Sequence, residues 1–187
     1  MESSIVYFKE NGKENTAETL SIAKKRSEEL KIKTLLVASI HGYTALKAAE
    51  IFKNTGMNLV AVSISPAFEY MGWKMTPEEK SGLEKAGITV LTSLHGLADG
   101  VSEGLYGDNT VGNVVANTLR MFSQGMKVAV EISIMALEAG MIEPGREVIS
   151  LGGTNEGADT AIVARPAFAH KIKEFIICEV LCKPRLG

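Results

Sequence analysis

The chain has 187 residues, 45% of them hydrophobic and 22% charged, so it can bury one substantial core and we expect a single domain over residues 1–187. Its net charge of −2 and isoelectric point near 6.0 argue against a nucleic-acid-binding surface. With no apolar run near the roughly 20 residues that span a bilayer, and no signal peptide at the amino terminus, a cytoplasmic protein without membrane contact is expected.

The first half of the chain alternates predicted strands and helices. Residues 4–9 are predicted as an edge strand. Asn15 and Glu18 then form a capping-box pattern at the start of a helix over residues 17–30. The predicted elements that follow are a strand at 34–39, a helix at 44–54 ended by Gly56, a strand at 58–64, a short helix from Thr76 to Gly87 and a strand at 88–92.

The second half begins with a glycine-rich stretch, residues 93–109, which we interpret as an irregular functional loop. A helical stretch at 110–139 is predicted to break near residues 123–125. A strand at 147–151, a turn at 152–159, and strands at 160–164 and 175–181 joined by a short helix at 167–173 complete the chain. This alternation predicts an α/β sheet that is mostly parallel, with the last two strands as candidates for antiparallel additions.

The most informative pattern is the first strand–loop–helix unit. The apolar run 34–38 is followed by Ser39, His41, Gly42 and Tyr43, and a helix begins near Thr44. The first turn of a helix has N–H groups without intrahelical acceptors and the positive end of the helix dipole. Hydroxyl groups, a glycine and these N–H groups together suit an anion, so a phosphorylated small molecule is the predicted ligand.

The other strand ends offer similar groups. In an open parallel sheet, ligands bind beyond the carboxyl ends of the strands. The further residues that we predict to contribute to the binding site there are Ser63, Ser65, Thr92, Gly152, Gly153, Thr154 and Asn155. The two glycines would let a ligand approach the backbone closely.

An aromatic segment follows the strand at 58–64. It contains Phe68, Tyr70, Met71 and Trp73, which could hold a flat ring such as an isoalloxazine or a purine. The alternative is an apolar lid or a subunit contact, which would make the protein a homo-oligomer. We predict that this segment and the turn at 152–155 wall the same crevice as the 39–44 loop.

The remaining titratable residues give weaker signals. His41 could bind a phosphate or act as an acid or base, and His95 is a candidate for the same crevice. The spacing of the histidines, and of Cys178 and Cys182, fits no metal site. The acidic residues expected to be helix caps or solvated charges are Asp99, Glu103, Asp108 and Asp159.

Three motifs resemble the carboxyl-terminal α/β domain of pyruvate kinase. They are Asn15-Thr-Ala-Glu-Thr-Leu20, the segment from Leu35 to Ala45, and Gly153-Thr-Asn155. The resemblance covers nearly the whole chain in element order. It is closer still to stand-alone archaeal and bacterial proteins of this size.

The resemblance implies a three-layer α/β/α fold with a mostly parallel, five-stranded sheet. It also implies a phosphate-binding loop in which Ser39, Gly42 and Thr44 match, whereas His41 and Tyr43 depart from the usual residues. Pyruvate kinase activity is not implied, since the catalytic barrel has no counterpart here. FMN is the cofactor that the stand-alone proteins suggest. The alternatives are a regulatory metabolite-binding module that acts on a protein partner, a flavin-dependent oxidoreductase, and a small hydrolase or transferase.

Overall fold

The protein is described by a computed structural model that covers residues 2–97 and 100–186. Within these residues the fold is built on one seven-stranded sheet. In chain order the strands are β1 (Val6–Phe8), β2 (Thr34–Ala38), β3 (Asn58–Ile64), β4 (Thr89–Ser93), β5 (Val148–Gly152), β6 (Thr160–Arg165) and β7 (Ile176–Pro184). Their order across the sheet is β1-β7-β6-β5-β2-β3-β4.

Six α-helices connect these strands within the described residues. They are α1 (Thr16–Leu30), α2 (Tyr43–Ile51), α3 (Pro77–Lys85), α4 (Val101–Tyr106), α5 (Val111–Arg120) and α6 (Gln124–Glu138). Short 3-10 segments occupy Lys13–Asn15, Pro66–Met71 and Ala169–Glu174. None of the helices in the described part of the chain has the length and apolar character needed to cross a membrane.

The sheet is mixed but mostly parallel, as predicted. β2 is parallel to both β3 and β5, and β3 is parallel to β4. β6 is antiparallel to both of its neighbours, while β1 is parallel to β7. The seven strands predicted along the chain are therefore confirmed, whereas the five-stranded sheet that the resemblance implies is wrong. The short strand β1 forms one edge of the sheet, because it pairs with the end of β7, about 175 residues away along the chain.

Alternating side chains of the central strands pack into two cores. Leu35 and Val37 of β2 face one core, which α1, α2 and α3 cover through residues such as Leu20, Ala48 and Leu83. Leu36, between them, faces the second core, which α6 covers. Parallel strands buried on both faces read as continuous apolar runs, as this one does. The result is the predicted three-layer α/β/α arrangement.

The start of α1 differs from the prediction. Asn15 does not cap the helix with its side chain, because it already has helical backbone angles at the end of the preceding 3-10 segment. Its side-chain amide instead donates to the Glu10 carbonyl at 2.9 Å. The capping-box prediction is therefore wrong here, whereas Thr76 and Glu79 form a complete capping box at the start of α3.

Two further segments differ from the sequence-based boundaries. α2 ends at Ile51 rather than residue 54, and Gly56, with a φ of 69°, lies in the turn that leads to β3. The stretch 93–109 is not wholly irregular, since it contains α4. The predicted break of the long helical stretch is confirmed, because Ser123 begins a new helix and its hydroxyl accepts a hydrogen bond from Met126 N–H.

Candidate functional site

The carboxyl ends of four parallel strands meet at one edge of the sheet. β5, β2, β3 and β4 are neighbours in that order and run in the same direction. The chain order reverses between β2 and β5, because β3 and β4 are added on one side of β2 and β5 on the other. In open α/β sheets, ligands bind at such a reversal. The residues that follow these strands therefore define the candidate site.

The 39–44 loop leaves β2 at this reversal. Ser39 extends the strand pairing, since its N–H donates to the Val62 carbonyl at 3.0 Å. Gly42 precedes the first residue of α2 with a φ of 91°, a conformation that glycine adopts without strain. Thr44 is buried in the first turn of α2. No described side chain caps this helix, so its first N–H groups remain available to an acceptor.

Two serine hydroxyl groups are buried at this edge without a hydrogen-bond partner among the described residues. They belong to Ser39 and Ser63, which are 6% and 0% exposed. Their preceding residues, Ala38 and Val62, pack toward the α6 core, so both serines lie on the opposite face, which carries α2. A buried hydroxyl without a partner is unfavourable by about 1–3 kcal/mol and is uncommon in native proteins. These two hydroxyls are candidates for ligand contact.

Ser65 and Thr92 have other surroundings. The Ser65 hydroxyl accepts a hydrogen bond from the Ala67 N–H at 3.2 Å and so begins the 3-10 segment after β3. Thr92 is an exposed residue of β4 and lies beside Ser63 in the strand pairing. Ser65 thus has a local structural role, and Thr92 lies at the open border of the site.

His41 joins the 39–44 loop to the segments that follow β3. Its Nδ1 lies 3.1 Å from Glu79 Oε1, and its Nε2 lies 2.7 Å from the Gly72 carbonyl oxygen. Burial lowers the pKa of His41, but the hydrogen bonds to Gly72 and Glu79 outweigh it, and the net shift is upward. Because both ring nitrogens face acceptors, the doubly protonated imidazolium fits this position best.

This geometry predicts a pH-dependent contribution of His41 to stability. A folded-state pKa above the unfolded value gives a stabilisation that is fully present below the unfolded pKa, about 6.5, and is lost as the pH rises through the folded pKa. We expect His41→Gln to lower the free energy of unfolding by at most about 1 kcal/mol at pH 6, since the pair is partly exposed, and by less at pH 9.

Urea unfolding at the two pH values measures this difference. In a Glu79→Gln background, the effect of His41→Gln should become smaller at pH 6, because the imidazolium has lost its charged partner. An effect of His41→Gln that is equal at both pH values, or larger at pH 9, would contradict the assignment.

Tyr43 is the first residue of α2 and is flanked by lysines. Lys13 Nζ lies 4.1 Å from the centre of the Tyr43 ring, and Lys47 Nζ lies 5.8 Å from it. Lys13 also forms an ion pair with Glu156, with 2.5 Å between Nζ and Oε2. The amino end of α2 therefore has two cations and one carboxylate close to it.

The aromatic segment lies on the β3–β4 side of the 39–44 loop. Phe68 is the centre of its ring contacts, with centroid distances of 6.3 Å to Tyr70, 6.4 Å to Trp73 and 5.1 Å to His95. Gly72, within the same segment, contacts His41. These contacts bring the segment close to the 39–44 loop, and His95 belongs to the ring cluster. That the segment and the turn at 152–155 wall one ligand crevice with this loop stays a prediction.

The turn after β5 lies on the other side of the 39–44 loop. A side chain at Gly152 would place Cβ 2.2 Å from the Gly125 carbonyl oxygen, and one at Gly153 would place it 2.4 Å from the Gly157 carbonyl oxygen. Close packing within the chain therefore explains both glycines without a ligand. Thr154 is half-buried, and Asn155 is exposed with a φ of 59°.

The side chain of Asp159 accepts several hydrogen bonds that hold this turn in place, a role that the sequence did not predict. It is fully buried, and its Oδ2 accepts hydrogen bonds from Gly12 N–H at 2.9 Å and Thr154 N–H at 3.2 Å. Its Oδ1 accepts one from the Thr160 hydroxyl at 2.8 Å. The expectation of a cap or solvated charge is wrong for Asp159, because its partners come from two distant segments.

The other acidic residues and possible metal ligands are peripheral. Asp108 is exposed, Glu103 accepts a hydrogen bond from the Asn113 side chain, and Asp99 lies outside the described residues. Within residues 2–97 and 100–186, no group of three or more His, Cys, Asp or Glu side chains could hold a metal ion. Cys178 is exposed and Cys182 is buried, and both are free thiols.

Comparison with known proteins identifies one family, and two of the similar solved structures are pyruvate kinases. Residues 17–164 match the family model described as the pyruvate kinase alpha/beta domain. A pyruvate kinase from Cryptosporidium parvum is 15% identical over 81% of this chain and 23% of its own chain, with a TM-score of 0.44. A Cryptosporidium parvum pyruvate kinase in complex with ADP is 14% identical over 88% of this chain and 24% of its own, with a TM-score of 0.38. The chain thus spans about a quarter of the length of these two proteins.

Proposed function

Because the chain belongs to the pyruvate kinase α/β domain family, we propose that it is a cytoplasmic protein that binds a phosphorylated small molecule at the amino end of α2. In this proposal the phosphate contacts the hydroxyls of Ser39 and Thr44 and the first N–H groups of α2, with Gly42 allowing close approach. The family resemblance of the loop and its chemistry favour the same group of residues.

One observation carries the proposal: buried hydroxyls without partners lie next to a helix whose amino end no described side chain caps. Ser39 and Ser63 provide the hydroxyls, and α2 provides the N–H groups. Thr76, Thr110 and Ser123 cap α3, α5 and α6 with their side chains, whereas α1 and α4, like α2, have no side-chain cap among the described residues. An anionic oxygen at α2 would satisfy donors for which the described residues provide no acceptor.

The surroundings of the loop favour FMN among phosphorylated ligands. Phe68, Trp73 and His95 form a cluster of rings at the ends of β3 and β4, and Trp73 is 37% exposed. An isoalloxazine ring could stack against such a cluster while its phosphate remains at α2. The flavin would carry any redox chemistry, and the protein would supply position and electrostatics.

Replacing Thr44 tests the phosphate contact. Thr44→Val removes one hydroxyl and nearly conserves the shape of the side chain. We expect FMN binding to weaken by about 1–3 kcal/mol, toward the upper end if the hydroxyl donates to a charged oxygen. Isothermal titration calorimetry measures the change, and quenching of Trp73 fluorescence gives a second readout of ring stacking.

Thr89→Val is the matched control. Thr89 is exposed and lies at the amino end of β4, whereas the proposed site lies beyond the carboxyl ends of the strands. This variant should leave the dissociation constant for FMN unchanged. Equal affinities of wild type and Thr44→Val for FMN would refute the placement of the phosphate. Tight FMN binding without any change in Trp73 fluorescence would refute the ring position alone.

A further inference from the structure

The Lys13–Glu156 ion pair lies beside the side chain of the first residue of α2. Lys13 Nζ is 2.5 Å from Glu156 Oε2 and 4.1 Å from the centre of the ring of Tyr43, the first residue of α2. The Glu156 carboxylate is also close enough to His41 for its charge to contribute to the raised pKa of that residue. This carboxylate is therefore paired with Lys13 beside the first residue of α2, near the position where the proposed ligand would bring its own negative charge.

The backbones that carry these two residues are held together closely. Gly157 has a φ of 91°, and a Cβ there would lie 2.6 Å from Lys13 Cα. The Ala158 N–H donates to Thr16 Oγ1 at 3.1 Å. Asp159 Oδ2 accepts from the Gly12 N–H at 2.9 Å. Lys13 and Glu156 therefore remain neighbours whether or not a ligand is present.

Their side chains, in contrast, are about half exposed to solvent. The side chain of Lys13 is 45% exposed, and that of Glu156 is 55% exposed. Ion pairs with this exposure contribute little to stability, so a phosphate group with more charge than a carboxylate can replace Glu156 as the partner of Lys13.

We infer that Lys13 is a ligand-binding residue and that Glu156 is an internal competitor, an anion that the ligand phosphate displaces from Lys13. The inference rests on the proposed phosphate site. It adds that Glu156 lowers the affinity of this site for its ligand. Two independent observations support it, namely the position of the ion pair at α2 and the buried hydroxyls of Ser39 and Ser63, which are without partners among the described residues.

The test compares the affinities of Glu156→Gln, Lys13→Gln and wild type for FMN and for inorganic phosphate. We expect Glu156→Gln to bind FMN about threefold to tenfold more tightly at low salt, because a repelling charge is removed and Lys13 is released. Lys13→Gln should bind FMN about threefold to tenfold more weakly. Both effects should shrink at 1 M salt, where exposed charges are screened, whereas a purely structural effect should not.

Glu143→Gln is the control, because Glu143 forms an exposed ion pair with Arg146 in the turn before β5, at the opposite edge of the sheet. It removes the same charge and should leave the affinity unchanged. Equal binding of FMN by wild type and Glu156→Gln would overturn the competitor role while leaving the phosphate site intact. Binding of FMN or phosphate by Glu156→Gln but not by wild type would support the competitor role of Glu156. Failure of every variant to bind either probe would overturn both the phosphate site and the inference built on it.

Discussion

Asp159→Ala is expected to lower the free energy of unfolding by about 3–5 kcal/mol. The substitution removes the acceptor of three hydrogen bonds, from Gly12 N–H, Thr154 N–H and the Thr160 hydroxyl. Removing one partner leaves each remaining donor without its acceptor, at about 1–3 kcal/mol for each buried group. The loss is so large because the carboxyl group is fully buried and links the segment before α1 to the turn after β5.

Urea unfolding followed by circular dichroism measures this difference. Asp108→Ala is the matched control, since Asp108 is exposed, and it should change the free energy by no more than about 0.5 kcal/mol. Asp159→Asn should lower the free energy of unfolding by less than Asp159→Ala and by more than Asp108→Ala, because an amide retains only one acceptor oxygen. A change below about 1 kcal/mol for Asp159→Ala would mean that the three hydrogen bonds do not form as described.

Gly152→Ala should destabilise the protein by about 2–4 kcal/mol. The added Cβ would lie 2.2 Å from the Gly125 carbonyl oxygen and 2.9 Å from the Ala129 backbone nitrogen. Both atoms belong to the backbone of α6, so they cannot move aside without displacing the helix from the sheet. Overpacking of a close-packed core typically costs about 1–3 kcal/mol and occasionally more, and a contact this short with helix backbone places the variant toward the upper end.

Gly82→Ala makes the same chemical change, but we expect it to stabilise the protein. Gly82 is an exposed residue within α3, and a Cβ there would meet no atom within 4 Å. Alanine is preferred to glycine in a helix, so this variant should be more stable than wild type by up to about 1 kcal/mol. If Gly152→Ala and Gly82→Ala had the same stability, the close contact between β5 and α6 would be disproved.

The elements next to the site could be predicted because their signals are local. The apolar run of β2 and the glycine before α2 lie within ten residues of one another, and both appear in the structure where the sequence indicates them. Likewise, α6 begins at the break that the sequence predicts near residues 123–125. The spacing of apolar residues and the residues that cap a helix are patterns of a few neighbouring positions, so they can be recognised in the sequence alone.

The contacts that organise the site were not predictable, because they join residues far apart in the chain. Asp159 binds Gly12 across 147 positions, and Lys13 binds Glu156 across 143. No sequence pattern indicates that residues so far apart are in contact, because this depends on the order of the strands in the sheet. For the same reason the sequence predicts a ligand-facing Gly152, whereas in the structure α6 fills the space beside it.

A crystal structure of the protein grown with FMN would test the central claim most directly. The account predicts the phosphate against the first turn of α2, within hydrogen-bond distance of the Thr44 hydroxyl and the first N–H groups of the helix. Lys13 should turn from Glu156 toward the phosphate, and the flavin ring should lie against the Phe68–Trp73–His95 cluster. A phosphate bound elsewhere, or an empty 39–44 loop at saturating FMN, would contradict the account.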